Sequence, residues 1–338
     1  MVIPIIGCTL TAAFQCLVLL GLLVIFLGLI ILYWTTTDKI PVIKRYPKEK
    51  IFCDAKTDET KEFPFNESNG DVSLSLVVPA YNEEERLPIM LDETLEYLEN
   101  KQKSDSSFTY EIIIVDDGSK DKTTQVGLGY CKKYGSEKIR VLTFHKNRGK
   151  GGAVRMGVFC SRGQKILMVD ADGATKFSDL QHVDKALDEL KGGKNGMALC
   201  VGSRAHLQDD AVAQRSFFRN ILMFGFHFLV SFLCVKDIKD TQCGFKLFTR
   251  KAALTLFSSL HVERWAFDVE LLYIAQRLGI PIEEKAVNWQ EIDGSKMVPI
   301  FSWIQMGKDL LLIRARYVIG AWALQPSGQP NLVDVDED

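Results

Sequence analysis

A run of four apolar residues, Ile166 to Val169, opens without a break onto Asp170-Ala171-Asp172, and Gly173 follows. An apolar run between polar residues reads as a strand buried on both faces, which places it inside a parallel sheet. In extended backbone, residues two apart point the same way, so Asp170 and Asp172 can face one site. Ligands of open α/β sheets bind at the carboxyl ends of the strands. Two hard carboxylates there suit Mg²⁺ or Mn²⁺, with phosphate oxygens and water completing the shell. A plain Asx turn closing the strand accounts for the same residues. The neighbouring strand ends decide between the two.

From Val72 the chain alternates apolar strand, polar loop and helix. Strands are predicted at Ser75–Pro79, Glu111–Val115, Ile139–Phe144, Lys165–Val169 and Met197–Val201, with helices after Glu84, after Ser119 and from Gly149–Ala153. That order argues for βαβ units around a mostly parallel sheet, an α/β fold. The first strand ends in PAYNEEERL, where Pro79 ends pairing and Tyr81, Asn82 and Glu83 offer a flat ring and hydrogen-bonding groups. A helix N-cap with acidic residues near it explains Asn82 and the glutamates equally well. The second strand ends in VDDGS, where Asp116 and Asp117 can grip a nucleoside or start a turn. Next, HKNRGKGGAVRMG sets Gly149, Gly151 and Gly152 before a helix, with Arg148 and Lys150 beside them. Backbone amides at such a helix start, with two cations, form a candidate phosphate cradle. A surface loop is the plainer alternative. Each motif alone is weak, but four successive strand ends so equipped suit a nucleoside diphosphate.

No charged side chain precedes Asp38, and Cys16 to Trp34 is almost wholly apolar, long enough to span a bilayer. A cleaved signal peptide wants a basic start and a shorter apolar core. Tyr33-Trp34 instead suits a membrane interface, so residues 1–37 read as an uncleaved transmembrane anchor. Lys39, Lys44, Arg45, Lys48 and Lys50 follow it, which by the positive-inside rule leaves the remainder in the cytosol. Residues 38–71 read as a basic juxtamembrane segment and linker. A net charge of −2 argues against a nucleic-acid partner, and eight scattered cysteines without metal-ligand spacing read as reduced thiols.

After the fifth strand, GSRA brings Arg204 to the ligand-bearing edge. Residues 217–235 are strongly apolar but carry Arg219, Asn220 and His227, which suits a helix in the membrane interface or in the core. In Trp265–Gly279 the helical spacing of Phe267, Leu271 and Ile274 marks core, with Asp268 and Glu270 the exceptions. EIDGSKM offers Ser295 and Lys296 as phosphate-binding candidates. Residues 298–324 are amphipathic, basic and aromatic-rich, fit to lie on an anionic membrane. The acidic tail, 325–338, is expected to be disordered.

As an ordered series, PAYNE, VDDGS, NRGKGGAVR and DAD resemble the family-2 glycosyltransferases of GT-A fold over roughly Val72 to Ser203. That resemblance implies a nucleotide-sugar donor and a Rossmann-like, mostly parallel sheet with flanking helices, here over 72–297. It implies that Pro79, Tyr81, Glu83, Asp116 and Asp117 hold the nucleoside and that Lys150 lies near the diphosphate. Asp170, Ala171 and Asp172 then border the donor, with Asp170 and Asp172 on the metal and Asp172 the nearer ligand. Related polyprenyl-phosphate mannosyltransferases commonly place Gln two residues past the second Asp as a further metal contact; Ala174 stands there in this chain.

The blocks DTQCGFKLF, WAFDVELL and DGSK, with the anchor, extend the likeness to lipid-phosphate glucosyltransferases of the endoplasmic reticulum and to nearly the whole chain. This implies UDP-glucose as donor, dolichyl phosphate as acceptor, inversion at the sugar, and a role in N-glycosylation on the cytosolic face of the membrane. Arg204, Arg219, Lys246, Ser295 and Lys296 are then expected around the acceptor phosphate. Asp172, Arg204, Lys246 and Asp268 are the expected catalytic set. Asp268 is expected to position and not to act as a base, because a phosphate monoester is already largely a dianion at neutral pH. A GDP-mannose-dependent hexosyltransferase and an inactive membrane scaffold of the same fold are the alternatives.

Overall fold

The computed structural model describes residues 3–190, 194–207, 225, 229–292 and 299–336. The chain opens with α1 (Ile3–Thr35), a helix of 33 residues. Its stretch Phe14–Thr35, 22 residues with a mean hydropathy of 3.1, has none of its surface buried in the protein. At 1.5 Å per residue that stretch reaches about 33 Å, a bilayer's hydrocarbon thickness. A helix this apolar, with none of the residues of that stretch buried, fits membrane anchoring.

Three short strands follow: β1 (Val42–Arg45), β2 (Ile51–Asp54) and β3 (Glu59–Glu62). The central unit comes next: β4 (Val72–Ala80), α2 (Leu87–Ser104), β5 (Tyr110–Asp116), α3 (Thr123–Tyr134), β6 (Ile139–Thr143), α4 (Lys150–Phe159) and β7 (Gly163–Val169). It continues through α5 (Leu180–Glu189), β8 (Leu199–Ser203), β9 (Phe245–Thr249), α6 (Arg250–Ser259), α7 (Phe267–Leu278), β10 (Ile282–Ala286), α8 (Pro299–Val318) and β11 (Asn331–Asp334).

Seven strands form the main sheet in the order β10-β8-β9-β7-β4-β5-β6. All pairings are parallel except those of β9, which runs antiparallel to β7 and β8. The mostly parallel α/β expectation holds. Alternate residues supply the two faces: Ile112 and Ile114 of β5 pack with Leu91 and Leu95 of α2, while Ile113 and Val115 pack with Val154 and Val158 of α4. Helices on both faces explain why β5 is buried at every position.

Two expectations are corrected. Residues 38–71 are not a bare linker, and 325–338 is not wholly disordered: β1 pairs in parallel with β11, Val42 opposite Asn331 through Arg45 opposite Asp334. The two partners lie far apart in sequence and are short and polar, so neither carries a readable strand period. β2 and β3 form a hairpin, turned at Asp58 in the left-handed region (φ 55°). Of 217–235, the described residues Val230, Cys234 and Val235 are buried in the core while Phe232 is exposed. On α8, Met306, Leu310, Ile313 and Tyr317 pack inward at helical spacing, and Leu311 and Val318 face outward.

The amino-terminal edge of the sheet carries a charge cluster of its own. Glu111, wholly buried, accepts hydrogen bonds from Ser75 Oγ (2.5 Å), Arg162 N (2.6 Å) and Arg162 Nε (2.9 Å), and it pairs with buried Arg140. Breaking a buried pair strands the remaining charge, at about 3 kcal/mol or more. Glu111→Gln is therefore expected to lower unfolding free energy by about 3 kcal/mol in denaturant melts. The geometry at the carboxyl ends of the strands should stay unchanged, because Glu111 lies at their other end.

Candidate active site

The carboxyl ends of β4, β5, β7 and β8 and the amino end of antiparallel β9 share one edge. Val169 lies opposite Phe245, so the loop Asp240–Gly244 that leads into β9 arrives beside Asp170. A Cβ added to Gly244 would lie 2.0 Å from Asp170 Oδ2. Only glycine leaves room for that carboxylate.

Charges alternate around this point. Lys150 Nζ, at the start of α4, sits 2.6 Å from Asp170 Oδ1. Lys246 Nζ, wholly buried on β9, donates to Asp268 Oδ1 (2.6 Å) and to the Cys243 carbonyl (2.6 Å). Arg204 donates through Nε and Nη2 to both oxygens of Asp240 (2.7 and 2.9 Å), with its guanidinium 5.3 Å from the centre of the Trp289 ring. Burial pulls the pKa of Asp170 upward, but the charges of Lys150, Lys246 and Arg204 outweigh it and hold Asp170 below its ordinary value. Asp172 goes the other way: burial, and then the like charge of Asp170, raise it. Two carboxylates pushed apart in this way present a hard, anionic oxygen pair that a divalent cation would relieve, so the residues fit Mg²⁺ or Mn²⁺. Asp172 Oδ1 also accepts from Ala174 N (3.0 Å), so the strand does close in an Asx turn. Ala174 is buried and its carbonyl accepts from Gln290 N, so its methyl brings no further ligand.

The nucleoside-side residues gather at the ends of β4 and β5. Pro79 lies opposite Val115 in the ladder. The loop after it is fastened to the loop after β5: Asn82 N donates to Ser119 Oγ (2.9 Å), Lys120 N to Asn82 Oδ1 (2.8 Å) and Glu83 N to Thr123 Oγ1 (2.8 Å). Glu83 holds Arg86 by two hydrogen bonds of 2.7 Å. Tyr81 stands half-buried beside this seam, and Ala171 is buried. Asp116 accepts from Ser119 N (2.8 Å) and from the Thr124 hydroxyl. Asp117 accepts from Arg148 N (2.7 Å), Gly149 N (2.9 Å) and Asn147 Nδ2 (2.8 Å). It secures the loop into α4, a role the residue pattern did not reveal.

Two amides of the expected glycine cradle are engaged within the chain. Gly149 N is taken by Asp117 and Gly152 N by the Glu263 carbonyl (3.1 Å). A Cβ on Gly151 would press on Phe267 at 2.7 Å, so these glycines let α4 pack closely against 263–267. Arg148 is turned toward Glu49 (3.1 Å) and Glu263 (3.3 Å). Lys246, expected at the acceptor phosphate, is wholly buried and paired to Asp268, with no surface left to touch an acceptor. Glu270 accepts from His261 N, Val262 N and Tyr317 Oη, which makes it structural. Arg219, Ser295 and Lys296 lie outside the described residues. Asp240, Gly244 and Trp289 are site residues that the strand-end reading missed. The block DTQCGFKLF held the first two, but nothing in its spacing showed that its strand runs backwards.

The family profile of glycosyl transferase family 2 matches residues 75–257. A human protein, dolichyl-phosphate beta-glucosyltransferase, is 61% identical over 301 residues, covering 89% of this chain and 93% of its own. This chain belongs to glycosyl transferase family 2. The family relative of the same name in Saccharomyces cerevisiae is 44% identical over 319 residues, 90% of this chain and 93% of its own. Among solved structures, glucosyl-3-phosphoglycerate synthase from Mycobacterium tuberculosis in complex with UDP overlaps 73% of this chain and 80% of its own, at 17% identity and a TM-score of 0.47. The sheet described above is the family's GT-A architecture.

Gly244→Ala is expected to displace the Asp170 carboxylate and lower kcat by about 100-fold, the penalty typical of a 1 Å misplacement. Circular dichroism and the melting temperature should stay close to wild type; normal turnover would show that Asp170 has other room. Asp117 supplies a pH signature. Burial pushes its pKa up to about 6 against the pull of the Arg148 and Gly149 amides. Below about pH 6 the carboxyl is neutral and its hold on those amides weakens. The donor KM should therefore rise as pH falls through about 6, and Asp117→Asn should show the raised KM at every pH. A flat donor KM across that range would remove the loop from donor binding.

Proposed function

We propose that this protein transfers glucose from UDP-glucose to dolichyl phosphate, with inversion, at the cytosolic face of the endoplasmic reticulum membrane, giving dolichyl β-glucosyl phosphate for N-glycosylation. The observation that carries the reading is the 61% identity to the human dolichyl-phosphate beta-glucosyltransferase across 301 residues, 89% of this chain. The charged edge is built for the chemistry. Pro79, Tyr81, Glu83 and Asp116 border the nucleoside side, Asp117 fixes the loop into α4, and Lys150 brings positive charge toward the diphosphate. Mg²⁺ or Mn²⁺ held by Asp170 and Asp172 would supply positive charge against the departing UDP.

The acceptor phosphate needs cations and in-line placement more than a base, being already largely dianionic. Arg204 suits this task. Asp240 raises its pKa against the pull of burial, and its Nη1 has no hydrogen-bond partner among the described residues. We assign Arg219, Ser295 and Lys296 to the same phosphate. Asp268, paired to buried Lys246 at 2.6 Å, holds that lysine in place beneath Asp170 and has a positioning role. The five basic residues from Lys39 to Lys50 after α1 support the cytosolic placement by the positive-inside rule.

Incubation of the full-length protein with labelled UDP-glucose or GDP-mannose and dolichyl phosphate tests this. Label is expected in lipid from UDP-glucose alone, and Asp170→Asn with Asp172→Asn should abolish it. Label from GDP-mannose alone would replace the donor. Asp268→Asn should lower kcat yet keep both limbs of the pH-rate profile, whereas a lost limb would make Asp268 a general base.

A further inference from the structure

At the foot of α1 lies a cavity of about 730 Å³. Its walls are the end of the anchor (Thr35–Asp38), the back of the loop before α4 (Lys146–Arg148), the segment His261–Arg264 and one face of α8. Six basic side chains and three acidic ones line it. Glu263 answers Arg148 and Arg155. Lys44, Lys146 and Arg264 have no ion-pair partner among the described residues, and Arg316 meets Asp309 only through longer-range charge. Two of the guanidinium groups also hold a buried N–H without an acceptor: Nε of Arg155, a residue only 2% exposed, and Nε of Arg316. A buried donor left unpaired is destabilising by about 1–3 kcal/mol, and more when charged, so such groups mark an anionic oxygen that binds there.

Position supplies the source of that oxygen. Thr35 ends the apolar span, so the cavity mouth stands at headgroup depth, with Leu311 and Val318 of α8 facing outward nearby. Its Lys146 side lies far from Arg204. Arg204 follows β8 and Lys146 follows β6, at opposite ends of a run of six adjacent strands. Five spacings of about 4.8 Å put roughly 24 Å between those strands. One phosphate cannot serve both.

We propose that this cavity binds the phosphate headgroup of a bilayer phospholipid, as a second lipid site beside the membrane anchor. The occupant gives Nε of Arg155 and of Arg316 their missing acceptor, meets the exposed charge of Arg264, and rests against the loop that Asp117 secures.

The test uses the full-length protein extracted from phosphatidylserine-containing membranes, exchanged into detergent and weighed by native mass spectrometry. Wild type should retain phospholipid, and Arg264→Gln with Arg316→Gln should lower retention by about tenfold or more, as loss of charge-assisted hydrogen bonds predicts. UDP affinity in that variant should remain at the wild-type value, and Lys48→Gln, a juxtamembrane cation outside the cavity, should retain lipid normally. If the double variant melts early, Arg264→Gln alone, on an exposed side chain, should still weaken retention. Membrane fractionation of the same preparations separates failure of the anchor from failure of the cavity. Retention untouched by the arginine changes overturns the proposal. So does retention of dolichyl phosphate in place of phospholipid, or stabilisation by inorganic phosphate with no lipid retained.

Discussion

Everything at the ligand-bearing edge depends on keeping the Asp170 carboxylate ionised in a partly buried place. Desolvating a carboxylate is expensive unless positive charge meets it at short range. Lys150 does so directly at 2.6 Å, and the charges of Lys246 and Arg204 add to it. Each of those cations is itself buried or half-buried and requires its own anion, Asp268 for Lys246 and Asp240 for Arg204. The result is an alternating cluster in which no member is dispensable without leaving a neighbour uncompensated. Such a cluster adds little net stability, but it fixes where each charge sits, and a transfer between two phosphates needs that fixity.

The fold that delivers this cluster is a parallel sheet interrupted by a single reversed strand. Parallel strands end at the site and then leave it through helices. β9 instead begins there, so its approach loop and its first residues both lie beside Asp170. That reversal lets Gly244 pass against the carboxylate and sets Lys246 underneath it. The opposite edge carries Glu111, Arg140 and Arg162, a cluster with no ligand to serve. Stability and chemistry are thus held at the two ends of the same strands.

Much of this was legible in the residues. Long apolar runs at β4, β5 and β7 announce themselves, and the acidic pairs at their ends follow from strand polarity alone. What was not legible is how polar groups are shared. A glycine-rich stretch before a helix reads as a phosphate cradle, yet here Gly149, Gly151 and Gly152 admit the 263–267 segment, and the amides of Gly149 and Gly152 are taken by Asp117 and Glu263. Lys246 reads as a free cation because burial by a reversed strand has no local signature. β1 and β11 escape notice for a related reason, since a four-residue strand acquires its partner only when the two termini of the domain meet.

The joint between α1 and the catalytic sheet shows the same economy of placement. Lys39 O, just past α1, accepts from Ala323 N (2.8 Å), and the His261 ring stacks on Trp322 at 4.1 Å. Glu270 collects His261, Val262 and Tyr317 into this joint from the first turn of α7. Asp268, two residues earlier on the same turn, reaches the other way to Lys246 beneath Asp170. One helix start therefore links the height of the anchor to the position of the charge cluster. For an acceptor whose phosphate is confined to headgroup depth, fixing that height replaces a search in three dimensions by one in two, and so raises the fraction of encounters that arrive in line.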